Sequence, residues 1–335
     1  VAGVNRAWTL ASYPNGEPTS ENFAIKESAI PAPKHGEVLV KTLYLSLDPY
    51  MRGRMRPGPS YSTVVEPGDV IVGEVVGRVE ASESPLHSVG DIVRAGIGWQ
   101  EYGIVPGHVA KPVNTSLGPI STAVGVLGMP GLTAYFGLLE VCKPNPGDTL
   151  VVSAASGAVG GVVGQVGKIA GCNVIGVAGS DEKCSYIVDE LGFDSAINYK
   201  TQDVNAELQR LAPAGVNCYF DNVGGPVTDA VMTNLSDSAR VAVCGQISQY
   251  NATETPMGPR NFWALIRTRS TVQGFLVYDF ERHHEVARAR LAEWIKQGQI
   301  KYREDIVEGF ENAPSKFGGL LRGDNFGKQL IKVAE

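Results

Sequence analysis

Residues 151–171 read VVSAASGAVGGVVGQVGKIAG, an apolar run that turns into glycines at a spacing an ordinary helix would avoid. In a dinucleotide-binding fold the first strand ends in a tight turn feeding a helix, whose free N–H groups and dipole receive a pyrophosphate. The stretch fits that plan, with strand TLVVSA, turn ASGAVG and helix GVVGQVGKIAG. Read as G-x-G-x-x-G, it places Ala155 where the first glycine would stand. Gly157 lets the backbone approach the pyrophosphate, Ala158 and Val159 complete the turn, and Gly160 lets the helix pack on the sheet. Each interior helical glycine costs about 1 kcal/mol relative to alanine, so Gly160, Gly161, Gly164 and Gly167 need a reason. Close packing on a sheet is one, and a ligand at the helix N-terminus is another.

The second strand bears on the sugar of that ligand. Folds that take NAD usually carry an acidic residue at its end, about 20 residues on, to bind the ribose hydroxyls. Here VIGVAGSDEK puts Ala178, Gly179 and Ser180 at that point, with Lys183 just beyond. Without a carboxylate there is room for a 2′-phosphate, which Ser180 and Lys183 would bind, so NADPH is expected over NADH. A solvated lysine in the first turn of a helix is the plainer reading of Lys183. No Y-x-x-x-K, G-x-S-x-G or H-E-x-x-H occurs, so a Tyr/Lys acid pair, a nucleophile elbow and a zincin site have no support.

These residues need a scaffold. A chain of 335 residues exceeds what one core usually organises, which points to two domains. Residues 1–122 alternate short β-rich runs such as EVLVKTLYLSL and DVIVGEVVGRV with turn clusters, the pattern of a small, mainly β domain. From 123 to 297, runs such as DTLVVSAA, NVIGVAGS, VNCYFDNVGG and ARVAVCGQIS alternate with helix-length segments. That alternation is the βαβ signature of an α/β, doubly wound parallel sheet. The segment 298–335, ending in RGDNFGKQLIKV, is strand-like again and is expected to rejoin the first domain.

Net charge is −6 without long charged blocks, which argues against a nucleic-acid partner. No run approaches a membrane span and the N-terminus lacks signal-peptide order, so no membrane association and a cytoplasmic location are expected. The five cysteines form no C-x-x-C pair and read as reduced core thiols. The histidines have no metal or triad spacing.

Several motifs together, LSLDPYMRGRM (45–55), GLTAYFGL, AASGAVGGVVGQ, GSDEK, NYK, YFDNVGG, CGQISQYN, GFLV and GDNFGKQL, carry a resemblance along nearly the whole chain. It resembles the zinc-independent leukotriene hydroxydehydrogenase/prostaglandin reductase family of medium-chain dehydrogenases/reductases, which includes 2-alkenal and curcumin reductases. The resemblance implies a GroES-like substrate domain, a Rossmann NADPH-binding domain and a homodimer. Zinc-dependent members of the superfamily need an early cysteine and a G-H-E motif. Here no cysteine precedes Cys142, and VGEVVG puts Gly73 where the histidine would sit, so no catalytic metal is expected.

Residue by residue, the resemblance implies pyrophosphate contacts at 157–160 and 2′-phosphate and adenosine contacts at Lys183 and Tyr199. It brings Asn222 to the dinucleotide, and places Cys244, Gly245, Ile247, Ser248, Tyr250, Phe275, Leu276, Val277 and Asn325 on the nicotinamide side. Tyr199 could equally be a packing aromatic, and Asn222 and Asn325 could be turn residues. The implied activity is reduction of the carbon–carbon double bond of a small-molecule enal or enone. Hydride addition to the β-carbon puts negative charge on the carbonyl oxygen, which needs a hydrogen-bond donor, and the α-carbon needs a proton. Tyrosine suits both tasks, and Tyr50, Tyr250 and Tyr61 are the candidates, with an aromatic cleft wall as the alternative for each. Several relatives have a tyrosine eight residues before the Phe of the GF motif, where this chain has Arg267. Arg52 and Arg56 read as surface arginines or as attractors of an anionic substrate tail. Quinone reduction and a non-enzymatic NADPH-binding module are the rival functions.

Overall fold

A computed structural model describes residues 3–335. The chain divides into two compact units, one of residues 1–125 with 304–335 and one of residues 126–303. The first unit begins with the antiparallel pair β1 (Val4–Leu10) and β2 (Phe23–Ala29). It continues through β3 (Glu37–Ser46), the one-turn helix α1 (Tyr50–Arg54), β4 (Val75–Ser82), β5 (Ile92–Ala95), β6 (Tyr102–Pro106) and β7 (Lys111–Pro112).

The second unit carries β8 (Thr149–Ser153), β9 (Asn173–Ala178), β10 (Ser195–Asn198), β11 (Val216–Asp221), β12 (Leu235–Val243) and β13 (Thr271–Gly274). Its helices are α2 (Met129–Phe136), α3 (Gly160–Ile169), α4 (Asp181–Asp189), α5 (Val204–Leu211), α6 (Gly225–Thr233), α7 (Phe262–Thr268) and α8 (His284–Lys296). The strands pair in parallel in the order β10-β9-β8-β11-β12-β13, the doubly wound order in which the chain reverses direction between β8 and β11. This bears out the expected α/β fold class. Val151, Val152, Ile175, Val177, Tyr219 and Phe220 are buried, as central strands covered on both faces require.

The chain then returns to the first unit with β14 (Glu304–Glu308), α9 (Ala313–Arg322) and β15 (Lys328–Lys332). β15 pairs antiparallel with the end of β3, and the sheet runs β14-β15-β3-β4-β5-β7 with β6 also on β3. Its core includes Leu10, Met51, Trp99, Phe310 and Phe317. The turn after β3 is fastened by a buried ion pair: Lys328 Nζ donates to Asp48 Oδ1 and to the Leu47 carbonyl, each at 2.7 Å, while the Ser46 hydroxyl donates to Asp48 Oδ2. Arg52 is buried as well, and its guanidinium donates to the carbonyls of Pro14 (3.3 Å) and Gly16 (2.8 Å), so it clasps the loop before β2. Neither a surface arginine nor a substrate attractor describes it. Arg56 is exposed.

The glycines of α3 are explained largely by packing. A Cβ at Gly164 would lie 1.9 Å from the Phe193 ring, and one at Gly160 would lie 2.3 Å from the Ala154 carbonyl oxygen. The helix therefore sits on the sheet at a distance only glycine allows. Gly164→Ala should destabilise the protein by about 1–3 kcal/mol through overpacking, even though alanine is favoured by about 1 kcal/mol in an unconstrained helix. Urea unfolding decides the sign, and Phe193→Leu in the same chain should recover part of the loss.

Candidate functional site

In an open α/β sheet, ligands bind beyond the carboxyl ends of the strands where the strand order reverses. In the second unit the candidate residues stand in that position: 157–160 after β8, Ser180 and Lys183 after β9, Tyr199 after β10, Asn222 after β11, 244–250 after β12 and 275–277 after β13. Tyr50, Tyr61 and Asn325 belong to the first unit.

The β8 turn is built on Ala154, whose φ of 49° is left-handed. Its carbonyl accepts from Gly157 N–H at 3.0 Å, turning the chain into α3. Ala155, at the first glycine position of the motif, is fully buried, and a Cβ at Gly176 of β9 would lie 2.9 Å from its methyl group. The small residue that the motif lacks has thus moved to the neighbouring strand. Ser180 caps α4, its hydroxyl accepting from Lys183 N–H at 3.2 Å. An acceptor in that bond, the hydroxyl keeps its own proton to donate. The Tyr199 ring lies against Gly179, where a Cβ would come within 3.1 Å of it, and the residue is 46% exposed.

Asp221, the last residue of β11, organises the next two loops and is 1% exposed. Its Oδ1 accepts from Tyr219 OH (2.9 Å), Ser153 Oγ (3.3 Å), Val223 N (3.0 Å) and Gly224 N (2.9 Å), and its Oδ2 from Thr228 Oγ1 (2.8 Å). Burial, then the Asp221 carboxylate, holds the Tyr219 phenol well above its ordinary pKa, so it stays a donor. Asn222 donates its amide to the Ser153 carbonyl at 2.8 Å, which ties β11 to β8. The Asp221 carbonyl accepts from Cys244 N and Gly245 N, and the Ser248 hydroxyl donates to the Val223 carbonyl at 2.6 Å, so the 244–250 loop folds onto the 222–225 turn. Burial, then Asp221, pushes the Cys244 thiol up to about 12, which keeps it protonated at neutral pH. Sequence patterns did not single out Asp221, Ser153 or Thr228, because a hub of contacts from three segments has no local spacing.

Tyr250 OH accepts from Gln246 N–H at 3.3 Å, and Ile247 N–H reaches the Asn222 carbonyl at 3.4 Å. Phe275 packs edge-to-face on Phe220 with centroids 6.1 Å apart, and a Cβ at Gly137 would lie 2.3 Å from its ring. It is a wedge beneath the strand ends, with Leu276 36% exposed and Val277 buried. Arg267 is exposed on α7. In the first unit Tyr50 opens α1 directly after the Asp48 ion pair and packs partly on the core, Tyr61 is 61% exposed, and Asn325 Nδ2 donates to the Gly327 carbonyl at 2.7 Å.

Two family models match the chain, an N-terminal domain of oxidoreductase over residues 6–113 and a zinc-binding dehydrogenase domain over residues 158–295. The chain is 48% identical to the NADPH-dependent curcumin reductase of Escherichia coli, covering 98% of this chain and 97% of that protein. It is 44% identical to the 2-alkenal reductase (NADP(+)-dependent) of Nicotiana tabacum, covering 98% of each. Among solved structures, CurA from Vibrio vulnificus in complex with NADPH superposes with a TM-score of 0.94 at 48% identity, covering 98% of this chain and 99% of that one. The chain belongs to the zinc-independent leukotriene hydroxydehydrogenase/prostaglandin reductase family.

The donor set agrees with a zinc-independent member of that family. A side chain at Gly73 would collide with the Trp99 indole, 2.9 Å from a Cβ there, so a histidine ligand has no room. Among the described residues no three His, Cys, Asp or Glu side chains are grouped to hold a metal.

Asp221→Ala strips acceptors from two backbone N–H groups and three hydroxyls in a buried site. Stability should fall by at least about 3 kcal/mol, against about 1 kcal/mol for Tyr219→Phe, both measured by urea unfolding.

Proposed function

We propose that the protein is an NADPH-dependent reductase of the carbon–carbon double bond in α,β-unsaturated aldehydes and ketones. The observation that carries this reading is the β9 end, where Ala178, Gly179, capping Ser180 and Lys183 suit a 2′-phosphate. The family relatives, named as NADPH-dependent curcumin and 2-alkenal reductases, support it.

NADPH supplies a hydride when bound, and the protein's own residues do the rest. The 157–160 turn and the N-terminus of α3 bind the pyrophosphate. Ser180 and Lys183 bind the 2′-phosphate, and the exposed Tyr199 stacks on the adenosine. Asn222, the 244–250 loop, Leu276 and Val277 border the nicotinamide, with Phe275 supporting them from below. A tyrosine hydroxyl donates to the substrate carbonyl oxygen as charge develops there, and the α-carbon takes its proton from a tyrosine or from water. Tyr250, whose oxygen accepts from Gln246 N–H within the 244–250 loop, is the first candidate for the donor role. Tyr50, at the start of α1 beside the Asp48 anchor, is the second candidate, and Tyr61 the third.

The same reading makes the protein a homodimer of the cytoplasm. Supporting the dimer, β13 is an edge strand with all four residues exposed, and the adjoining α7 exposes Phe262, Trp263 and Ile266. Light scattering should return twice the chain mass, and a monomer would overturn this part.

The activity is tested by NADPH and NADH oxidation with purified, chelator-treated protein offered an enone, an enal and a quinone. Fast NADPH loss with the enone or enal and a saturated carbonyl product is expected. Turnover of the quinone alone would make the protein a quinone reductase, and NADPH binding without turnover of any acceptor would make it a binding module. Lys183→Ala should weaken NADPH about tenfold or more relative to NADH, since each tenfold is about 1.4 kcal/mol of a lost charge-assisted contact.

A further inference from the structure

The β9 end is short of a carboxylate only as far as Ser180. The next residue is Asp181, the first of α4, and an acid so close to the end of the second strand is what a fold selecting NADH would use to accept from the ribose hydroxyls. The structure shows where this carboxylate goes. Asp181 Oδ1 accepts from Asn198 Nδ2 at 2.7 Å. Asn198 is the last residue of β10 and is only 5% exposed.

Asn198 is not free to follow a moving partner. Its N–H donates to Gln202 Oε1 at 2.7 Å, its Oδ1 accepts from Lys200 N at 3.1 Å, and its carbonyl accepts from Thr201 N (3.1 Å) and Gln202 N (2.9 Å). Next to it, Tyr199 N–H donates to the Ala178 carbonyl at 3.1 Å, locking the ends of β9 and β10 together. The amide is a fixed donor on a rigid strand end, and it pins a carboxylate carried by the exposed first turn of α4.

We propose that Asn198 sets cofactor selectivity by holding the Asp181 carboxylate against β10, away from the surface formed by Ser180 and Lys183. The inference rests on the reading that this surface receives the 2′-phosphate. A released Asp181 would repel a 2′-phosphate, and its oxygens would be available to the 2′-hydroxyl that NADH presents there. Asn198 is thus a positioning residue: it acts through Asp181, and its loss shifts the choice between the two cofactors more than the affinity for either adenosine half.

The test is calorimetric binding of 2′,5′-ADP and 5′-AMP, two half-ligands that differ only in the 2′-phosphate, to the full chain. Asn198→Ala should lower the affinity ratio of 2′,5′-ADP to 5′-AMP about tenfold at low salt, and less at high salt, as a repulsion between surface charges requires. Asp181→Asn should keep or raise the ratio, and Asn198→Ala combined with Asp181→Asn should bring it back to within about twofold of Asp181→Asn alone. If Asn198→Ala does not fold, Asn198→Ser keeps a neutral acceptor for Lys200 N–H on a side chain too short to hold Asp181, and should lower the ratio in the same way. Equal weakening of both half-ligands, or a double variant that recovers nothing, overturns the proposal. Lys183→Ala separates the two readings: an unchanged ratio there removes the 2′-phosphate site itself, whereas a lowered ratio with equal weakening in Asn198→Ala removes only the role of Asn198.

Discussion

The contact on which the nucleotide-binding unit depends is the approach of α3 to the end of β8. At Gly160 a Cβ would meet the Ala154 carbonyl oxygen at 2.3 Å, so the helix begins against the strand with no side chain between them. That proximity directs the first-turn N–H groups and the helix dipole at the space beyond the strand ends. The left-handed Ala154 and the buried Ala155 against Gly176 follow from the same constraint. The space a bulky residue would fill has been removed from both sides of the turn.

Beyond that contact, the remaining loops are held by polar groups that satisfy one another. Asp221 gathers β8, β11 and the start of α6 through Ser153, Tyr219 and Thr228, while its backbone carbonyl receives the loop after β12. A buried carboxylate is tolerated there because all of its contacts are donors. In the other unit the Lys328–Asp48 pair has a comparable task, tying β15 to the segment from which Tyr50 emerges. Its burial leaves little water to compete, so the loss of either charge would strand the other. Both devices use buried polar groups to place loops that hold candidate site residues.

Much of this was legible from local pattern. The alternation of short apolar runs with helix-length segments announced the parallel sheet, since strands covered on both faces must be apolar throughout. The glycine turn and the Ala-Gly-Ser end of β9 are where the sequence proposes a dinucleotide, because a backbone approach to phosphate needs small residues at fixed offsets. Arg52 was read less well. Its neighbours in RGRMR suggested a surface patch, yet its guanidinium is buried against the Pro14 and Gly16 carbonyls, partners almost forty residues away in the chain. Phe275 likewise sits in a motif expected to line the nicotinamide, but its ring is a wedge between Phe220 and Gly137.

By itself the sequence determined the fold class and the family, because each rests on residue types at short spacing. Only the tertiary structure decided what the polar side chains do. Whether Asp181 faces a ribose or Asn198, whether Asp221 is exposed or the hub of five hydrogen bonds, and whether Gly73 has room for a side chain beside Trp99 depend on segments brought together from distant parts of the chain. Hydrogen bonds and close contacts act over about 3 Å in space, and no spacing along the chain records them until the sheet has formed.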